Sequence, residues 1–212
     1  GNTLTLGIFV SLISTVIGFL FAYADAYINI KFKKLFNILT ILPIVSPPFA
    51  LAMSFIMLFG QRGFVTYNLL HIKDANVYGF WGLAIVQILT FFPVAYLVLA
   101  GLLHQIDPSY EEAARNLGAT RGYIFKTVTL PLLKPGIANA FLLVFIQSVA
   151  DFGNAMVIGG NFTTLAAKTY LQAMGNYDLK GGTALATILL TISIVMFVLQ
   201  KYWVGNKSYV TV

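Results

Sequence analysis

Apolar residues in this chain come in long runs, not in the alternation of a half-buried strand or the three-and-four spacing of a soluble amphipathic helix. The runs extend from about Leu4 to Ala24, Leu35 to Gly60, Val77 to Leu103, Leu132 to Ala150 and Thr183 to Val204. A helix needs about 20 mostly apolar residues to cross roughly 30 Å of hydrocarbon, so each run predicts a transmembrane helix. The expected fold class is all-α: a polytopic membrane bundle of five transmembrane helices. Between the runs, 25–34 reads as a short basic loop. Segment 61–76 reads as polar with room for a surface helix, 104–131 as a long charged loop, and 151–182 as a mixed segment with an amphipathic piece near Leu165 to Met174.

Composition agrees with the pattern. The 212 residues are 58% hydrophobic and 9% charged, where a soluble domain carries about 25% charged residues. With no cysteine, a disulfide framework and a thiolate metal site are both excluded. The net charge of +6 does not point to nucleic acid, because the basic residues sit in short loops between apolar runs. Lys31, Lys33, Lys34, Arg115, Arg121, Lys126, Lys134, Lys201 and Lys207 fall on one side; Arg62, Lys73, Lys168 and Lys180 fall on the other. The excess marks the first side as cytoplasmic, so the first helix starts outside and the loop around Gly118 lies inside. No basic stretch or cleavage site precedes the first run, which therefore reads as a span and not a signal peptide. Residue 1 is Gly, and Ser208 to Val212 carries no clear end signal; we expect a segment of a longer polypeptide.

Pro43, Pro47 and Pro48 fall in the second run and Pro93 in the third. Each removes a backbone donor and clashes with the preceding turn, and in lipid the freed carbonyls need partners from neighbouring helices or water. Helices broken along a pathway and simple packing kinks are both open readings. Asp151, beside Gln147 and Ser148 and followed by Gly153 and Asn154, is costly at bilayer depth. Either it faces a pathway or a partner, or it is a helix-end carboxylate in interfacial water. Gln147, Ser148, Asp151 and Asn154 are the candidate pathway residues. His71 and His104 are far apart on opposite expected sides and read as interfacial, without carboxylates at ligand spacing, so no metal site and no cofactor are expected.

The long charged loop contains Asp107-Pro108-Ser109-Tyr110-Glu111-Glu112-Ala113-Ala114-Arg115-Asn116-Leu117-Gly118. Asp107 can cap a helix that Pro108 opens, acidic Glu111 and Glu112 suit its positive end, and Gly118 fits a stop. A second short helix is expected from about Arg121 to Val128. Together they read as a helix–turn–helix outside the membrane, with Ala113, Ala114, Leu117 and Ile124 available for docking. Glu112-Ala113-Ala114, Gly118, Val128 and Leu130-Pro131 resemble the cytoplasmic signature of permeases in binding-protein-dependent ATP-binding-cassette importers, with Val128 in place of the usual Ile. The resemblance implies a MetI-like permease core, 1–212 as one transmembrane domain, and a coupling helix that fits a cleft on a separate ATPase. The coupling candidates are Glu111, Glu112, Ala113, Ala114, Gly118, Val128, Leu130 and Pro131. Taken without that signature, Glu112 reads first as a solvated helix-start carboxylate.

The implied partners are a cytoplasmic ATPase, a second permease core (fused, identical or different), an extracytoplasmic substrate-binding protein and the lipid bilayer of a bacterial or archaeal plasma membrane. The segment after the fourth run and the ending from Gln200 resemble permeases of ferric-iron importers, which often fuse two cores. Permeases for thiamine, phosphonate, polyamine or sulfate share much of this pattern. A secondary transporter would need a midplane ion site or inverted repeats, and no internal repeat is visible. A membrane enzyme would need a nucleophile or metal constellation. No G-x-x-x-x-G-K-[ST] loop is present, so ATP hydrolysis is expected in a partner.

Overall fold

The computed structural model describes residues 1–47, 49–72 and 75–204, with the side chains of 203 and 204 left aside. Pro48, Lys73, Lys207 and the ending from Ser208 to Val212 lie outside the described residues. The long helices are α1 (Asn2–Tyr27), α4 (Phe80–Leu103), α7 (Leu130–Ala150) and α10 (Leu179–Leu199). Shorter ones are α2 (Lys33–Val45), α3 (Ala50–Phe59), α5 (Pro108–Asn116), α6 (Arg121–Ile124), α8 (Gly153–Ile158) and α9 (Leu165–Tyr170). Single π-helical turns cover Phe64–Leu69, Phe125–Thr129, Leu171–Gly175 and Gln200–Val204. In hydrocarbon an unpaired backbone amide has no water to bond, which is why the apolar runs close their hydrogen bonds internally as helices.

α4 is the central element, packed between α1 and α7. Of the apolar window in each span, 56% is buried in α4 and 6% in α10, which places α10 at the rim. Close approach comes from small residues. The buried face of α1 carries Thr3, Gly7, Ser11, Ser14, Thr15, Gly18, Ala22 and Asp25, at the three- and four-residue steps that align on one side of a helix. A Cβ on Gly18 would lie 2.7 Å from both the Ala95 Cβ and the Tyr96 amide nitrogen of α4. The opposite stripe, Leu4, Ile8, Leu12, Val16 and Leu20, is exposed. Small residues at a membrane-helix interface let backbones meet where the hydrophobic effect offers no drive.

Two expectations on the spans are corrected. The second run is not one helix: Lys33–Val45 and Ala50–Leu69 meet at an angle of 105°, as a broken span or a re-entrant pair. Ser46 precedes Pro47, and that neighbour excludes the helical region; its ψ of 144° ends α2. Ala50 then bonds back to the Pro47 carbonyl at 2.9 Å as α3 begins. Pro93, by contrast, lies inside an unbroken α4. The second correction concerns the short helix expected from Arg121 to Val128. It is no separate element, because 121–150 runs as one 30-residue span with Pro131 in its path. The amphipathic piece forms as α9 and its π-helical turn, and α10 opens on Asp178, whose side chain accepts from the Gly181 amide at 2.9 Å.

The two ends of the bundle collect different elements. At one end the Gly79 amide donates to the Ile158 carbonyl at 3.0 Å, and the Leu165 amide donates to Thr3 Oγ1 at 2.8 Å. The other end gathers the close of α1, the starts of α2 and α6, the close of α4, and α5. This is the sorting that the lysines and arginines predict.

Candidate functional site

α5 stands off the end that the basic residues mark as cytoplasmic. Asp107 Oδ1 accepts from the Ser109 amide at 2.9 Å, and that bond holds its carboxyl below the usual carboxylate value. Pro108 occupies the first turn, where its missing donor costs nothing. At the far end Gly118 adopts φ +84°. Its amide donates to the Arg115 carbonyl at 3.0 Å, and the Ala119 amide to the Ala114 carbonyl at 3.1 Å. That pair of bonds is a Schellman stop, which a residue with a Cβ enters only under strain. The cap and the stop expected from Asp107, Pro108 and Gly118 are both present.

The surface of α5 divides. Glu112 and Ala113 are exposed, and Leu117 is 88% exposed. Ala114, Leu117, Gly118, Ala119, Thr120 and Tyr123 line a shallow depression of about 520 Å³. Ile124, expected to join this surface, is 3% exposed and belongs to the core instead, because its helix continues into the span. Val128, Leu130 and Pro131 are half-buried in that same helix, below the loop.

Glu111 turns the other way. Its Oε1 accepts from the Tyr27 hydroxyl at 2.6 Å and from the Thr129 hydroxyl at 2.8 Å. Nothing in the sequence order of these residues signals that contact.

At the end opposite α5 a polar cluster is buried between α4 and α7. Gln87 Nε2 donates to Asp151 Oδ2 at 2.7 Å, Ser148 Oγ donates to Gln87 Oε1 at 2.6 Å, and the Asn154 amide donates to Asp151 Oδ1 at 3.2 Å. Asp151 is 9% exposed, so it is not a carboxylate standing in interfacial water. The cluster joins Ser148, Asp151 and Asn154 of the four pathway candidates. Gln147, half-buried on the next helical position, stays out of it. The Asn154 side-chain amide, 1% exposed, has no hydrogen-bond partner among the described residues. Gln87 was missed. The available signal was a lone amide in an apolar run, which a membrane interior obliges to find a partner.

Asp25, expected in a loop, is the last buried residue of α1 and is 3% exposed. Lys33 Nζ lies 3.3 Å from its Oδ1 and His104 Nε2 lies 3.0 Å from its Oδ2. His104 therefore does have a carboxylate partner, supplied by the fold and not by local spacing. Among the described residues no three His, Asp or Glu side chains converge on a point where they could hold a metal ion.

A bundle of long apolar helices, with a capped helix standing off one end, defines an integral membrane protein. Residues 14–205 match the family described as "Binding-protein-dependent transport system inner membrane component", and the chain belongs to that family. It is 43% identical over its whole length to the ferric transport system permease protein FbpB of Actinobacillus pleuropneumoniae, and covers 31% of that protein. It is 41% identical to the putative ferric transport system permease protein FbpB 1 of Haemophilus influenzae, covering 34%. The chain thus spans about a third of the length of these curated relatives. Identity to the sulfate transport system permease protein CysT of Salmonella typhimurium is 28%, over 92% of this chain and 71% of that protein. In fold it is similar to a bacterial alginate ABC transporter solved in complex with alginate pentasaccharide-bound periplasmic protein. The TM-score is 0.82 at 18% identity, over all of this chain and 78% of that one. The fold is that of MetI-like permease cores.

Proposed function

We infer that this chain is one permease core of an ATP-driven importer, with ferric iron as its substrate. The observation that carries the importer reading is the outward face of α5. It is a helix fixed at both ends by caps, with Glu112 and Ala113 exposed and an unpartnered Leu117 at its tip. Leu117 and exposed Tyr123 flank the depression lined by Ala114, Gly118, Ala119 and Thr120, and a contiguous apolar patch of this kind in a charged loop fits a docking cleft in a cytoplasmic protein. We assign that protein as the ATPase, with Glu112, Ala113, Ala114 and Gly118 at the contact. Val128, Leu130 and Pro131 act behind them, in the helix that carries the push into α7. Closing and reopening of the ATPases would then rock the cores as rigid bodies.

The drop in identity from ferric relatives to sulfate relatives supports iron. The greater length of the ferric relatives supports a second core within one longer polypeptide, and the family description supports an extracytoplasmic protein that delivers the ion. Gln147, Ser148, Asp151 and Asn154 are assigned to the outer mouth of the pathway, where the buried cluster fixes the corner between α7 and α8. The test is to express the full-length protein with its neighbouring ATPase, then measure co-purification and uptake of radiolabelled ferric iron against excess sulfate. Recruitment with uptake that sulfate does not compete for is the expected result. Recruitment with sulfate-sensitive uptake would reassign the substrate, and no recruitment would sink the importer reading.

A further inference from the structure

We propose that Glu111, Tyr27 and Thr129 form a latch that makes the coupling helix move as one piece with α1 and α7; the proposal rests on the importer reading above. A single carboxylate oxygen on α5 accepts two hydroxyls, from Tyr27 at 2.6 Å and from Thr129 at 2.8 Å. These donors come from different elements: the last turn of α1 and the π-helical turn that leads into α7. Hydrogen bonds to a charged acceptor are shorter and about twice as strong as neutral ones. The Tyr27 distance is in that short range, and the Thr129 distance has the ordinary length of a hydroxyl bond.

Each donor is itself held in place. The Tyr27 ring stacks on Tyr23 with centroids 4.7 Å apart, and Tyr23 meets Phe125 edge-on at 5.6 Å. Phe125 also packs against Phe19 at 6.1 Å. Thr129 is 1% exposed. The latch therefore reads out the position of two packed helices and not of two loose side chains. Without it the link is thin, because the remaining wall between α5, α1 and α6 is a crevice of about 320 Å³ lined by Tyr23, Ile28, Arg115 and Arg121 besides the latch residues. The short links to α4 and α6 hold the two ends of α5, and across the crevice a push from its middle passes through the contacts that bridge that space. Glu112 faces outward and Glu111 inward, so adjacent carboxylates divide the work: one meets the partner and the other ties the helix to its own spans. Tyr27 and Thr129 are positioning residues, acting through Glu111 on α5.

The test uses the full-length protein with its ATPase in liposomes. Spin labels go on cysteines placed at exposed Lys31 and Ser109, in a cysteine-free background. The label-to-label distance is measured by pulsed electron resonance with and without ATP plus vanadate. With the latch intact, the distance between the end of α1 and α5 should stay the same in both states. Tyr27→Phe with Thr129→Val keeps the ring and the volume but removes both hydroxyls. It should leave ATPase recruitment intact, let the distance shift with nucleotide, and lower substrate moved per ATP hydrolysed by about tenfold or more, each of the two lost hydrogen bonds to a charged group being on that scale. Thr129→Ser, which keeps a hydroxyl, should behave as wild type. A distance and coupling ratio unchanged in the double variant would overturn the latch. So would a loss of ATPase recruitment matching the loss of transport, which would make these residues part of docking. Failure of the unmutated protein to recruit an ATPase would instead overturn the importer reading, and the latch with it.

Discussion

His104 at the end of α4 lies 3.0 Å from the buried carboxylate of Asp25 at the end of α1. Lys33 closes the same group from the start of α2, with its Nζ 2.7 Å from the Asp25 carbonyl as well. Three elements thus share one carboxylate. Asp25→Ala should lower the stability of the purified protein by about 1 kcal/mol, the scale of the hydrogen bonds lost, because Lys33 and His104 are half-exposed and can turn to water. His104→Gln keeps a donor and should cost less. Thermal unfolding in detergent, followed by loss of the monodisperse peak, checks the order; equal losses in both variants would contradict it.

The Gln87–Asp151 pair makes the opposite end sensitive in a lopsided way. Gln87→Leu strands a buried carboxylate, whereas Asp151→Asn still offers an oxygen to the Gln87 amide. We expect Gln87→Leu and Asp151→Leu to lose most uptake at matched membrane abundance and Asp151→Asn to retain a measurable part. The stranded carboxylate should cost roughly 1–3 kcal/mol or more. Full uptake in both leucine variants would show that the cluster contributes nothing to transport.

Gly118 offers a clean test of the stop of α5, because a Cβ there meets nothing within 4 Å. The cost of that Cβ within this chain therefore comes from its φ of +84°, and strain of this kind is about 1–3 kcal/mol. The variant should insert normally yet lower ATPase recruitment and uptake in parallel. Ala114→Trp should do the same by bulk at the contact. Normal recruitment in both would return the loop to a solvated connector.

The orientation is open to direct labelling. Ser109 and Asn161 are both exposed and sit at opposite ends of the bundle. Single cysteines at these positions, treated in intact cells with an impermeant maleimide, should react at 161 and stay unreacted at 109. The reverse pattern would invert the topology.

Much of this was legible because lipid imposes a simple rule: long apolar runs must be helices, and α1, α4, α7 and α10 follow it within a few residues. Capping chemistry is also local, so Asp107, Pro108 and Gly118 announced both ends of α5. What stayed hidden depends on contacts far apart in sequence. Asp25 looked like the start of a loop because a charge ended the apolar run, and its partner His104 is 79 residues away. Glu111 and Glu112 are indistinguishable as letters, and only the packing of α1 and the continuous helix into α7 turns one inward. The split of the second run was foreshadowed by Pro47, but its 105° angle was not, since a proline breaks a helix without fixing where the chain goes next.

The crossing of α1 and α4 at Gly18 has a consequence for descent. Exposed Leu4, Ile8, Leu12, Val16 and Leu20 can be exchanged among apolar residues with little effect on packing. Every codon change away from glycine at 18 adds a Cβ. A companion change of Ala95 to glycine removes only one of three obstacles, since the Tyr96 backbone nitrogen and the Ala95 carbonyl carbon stay 2.7 and 2.9 Å from that Cβ. No single compensating mutation in α4 restores the fit, so position 18 is closed to stepwise drift while the opposite face of the same helix is free to wander.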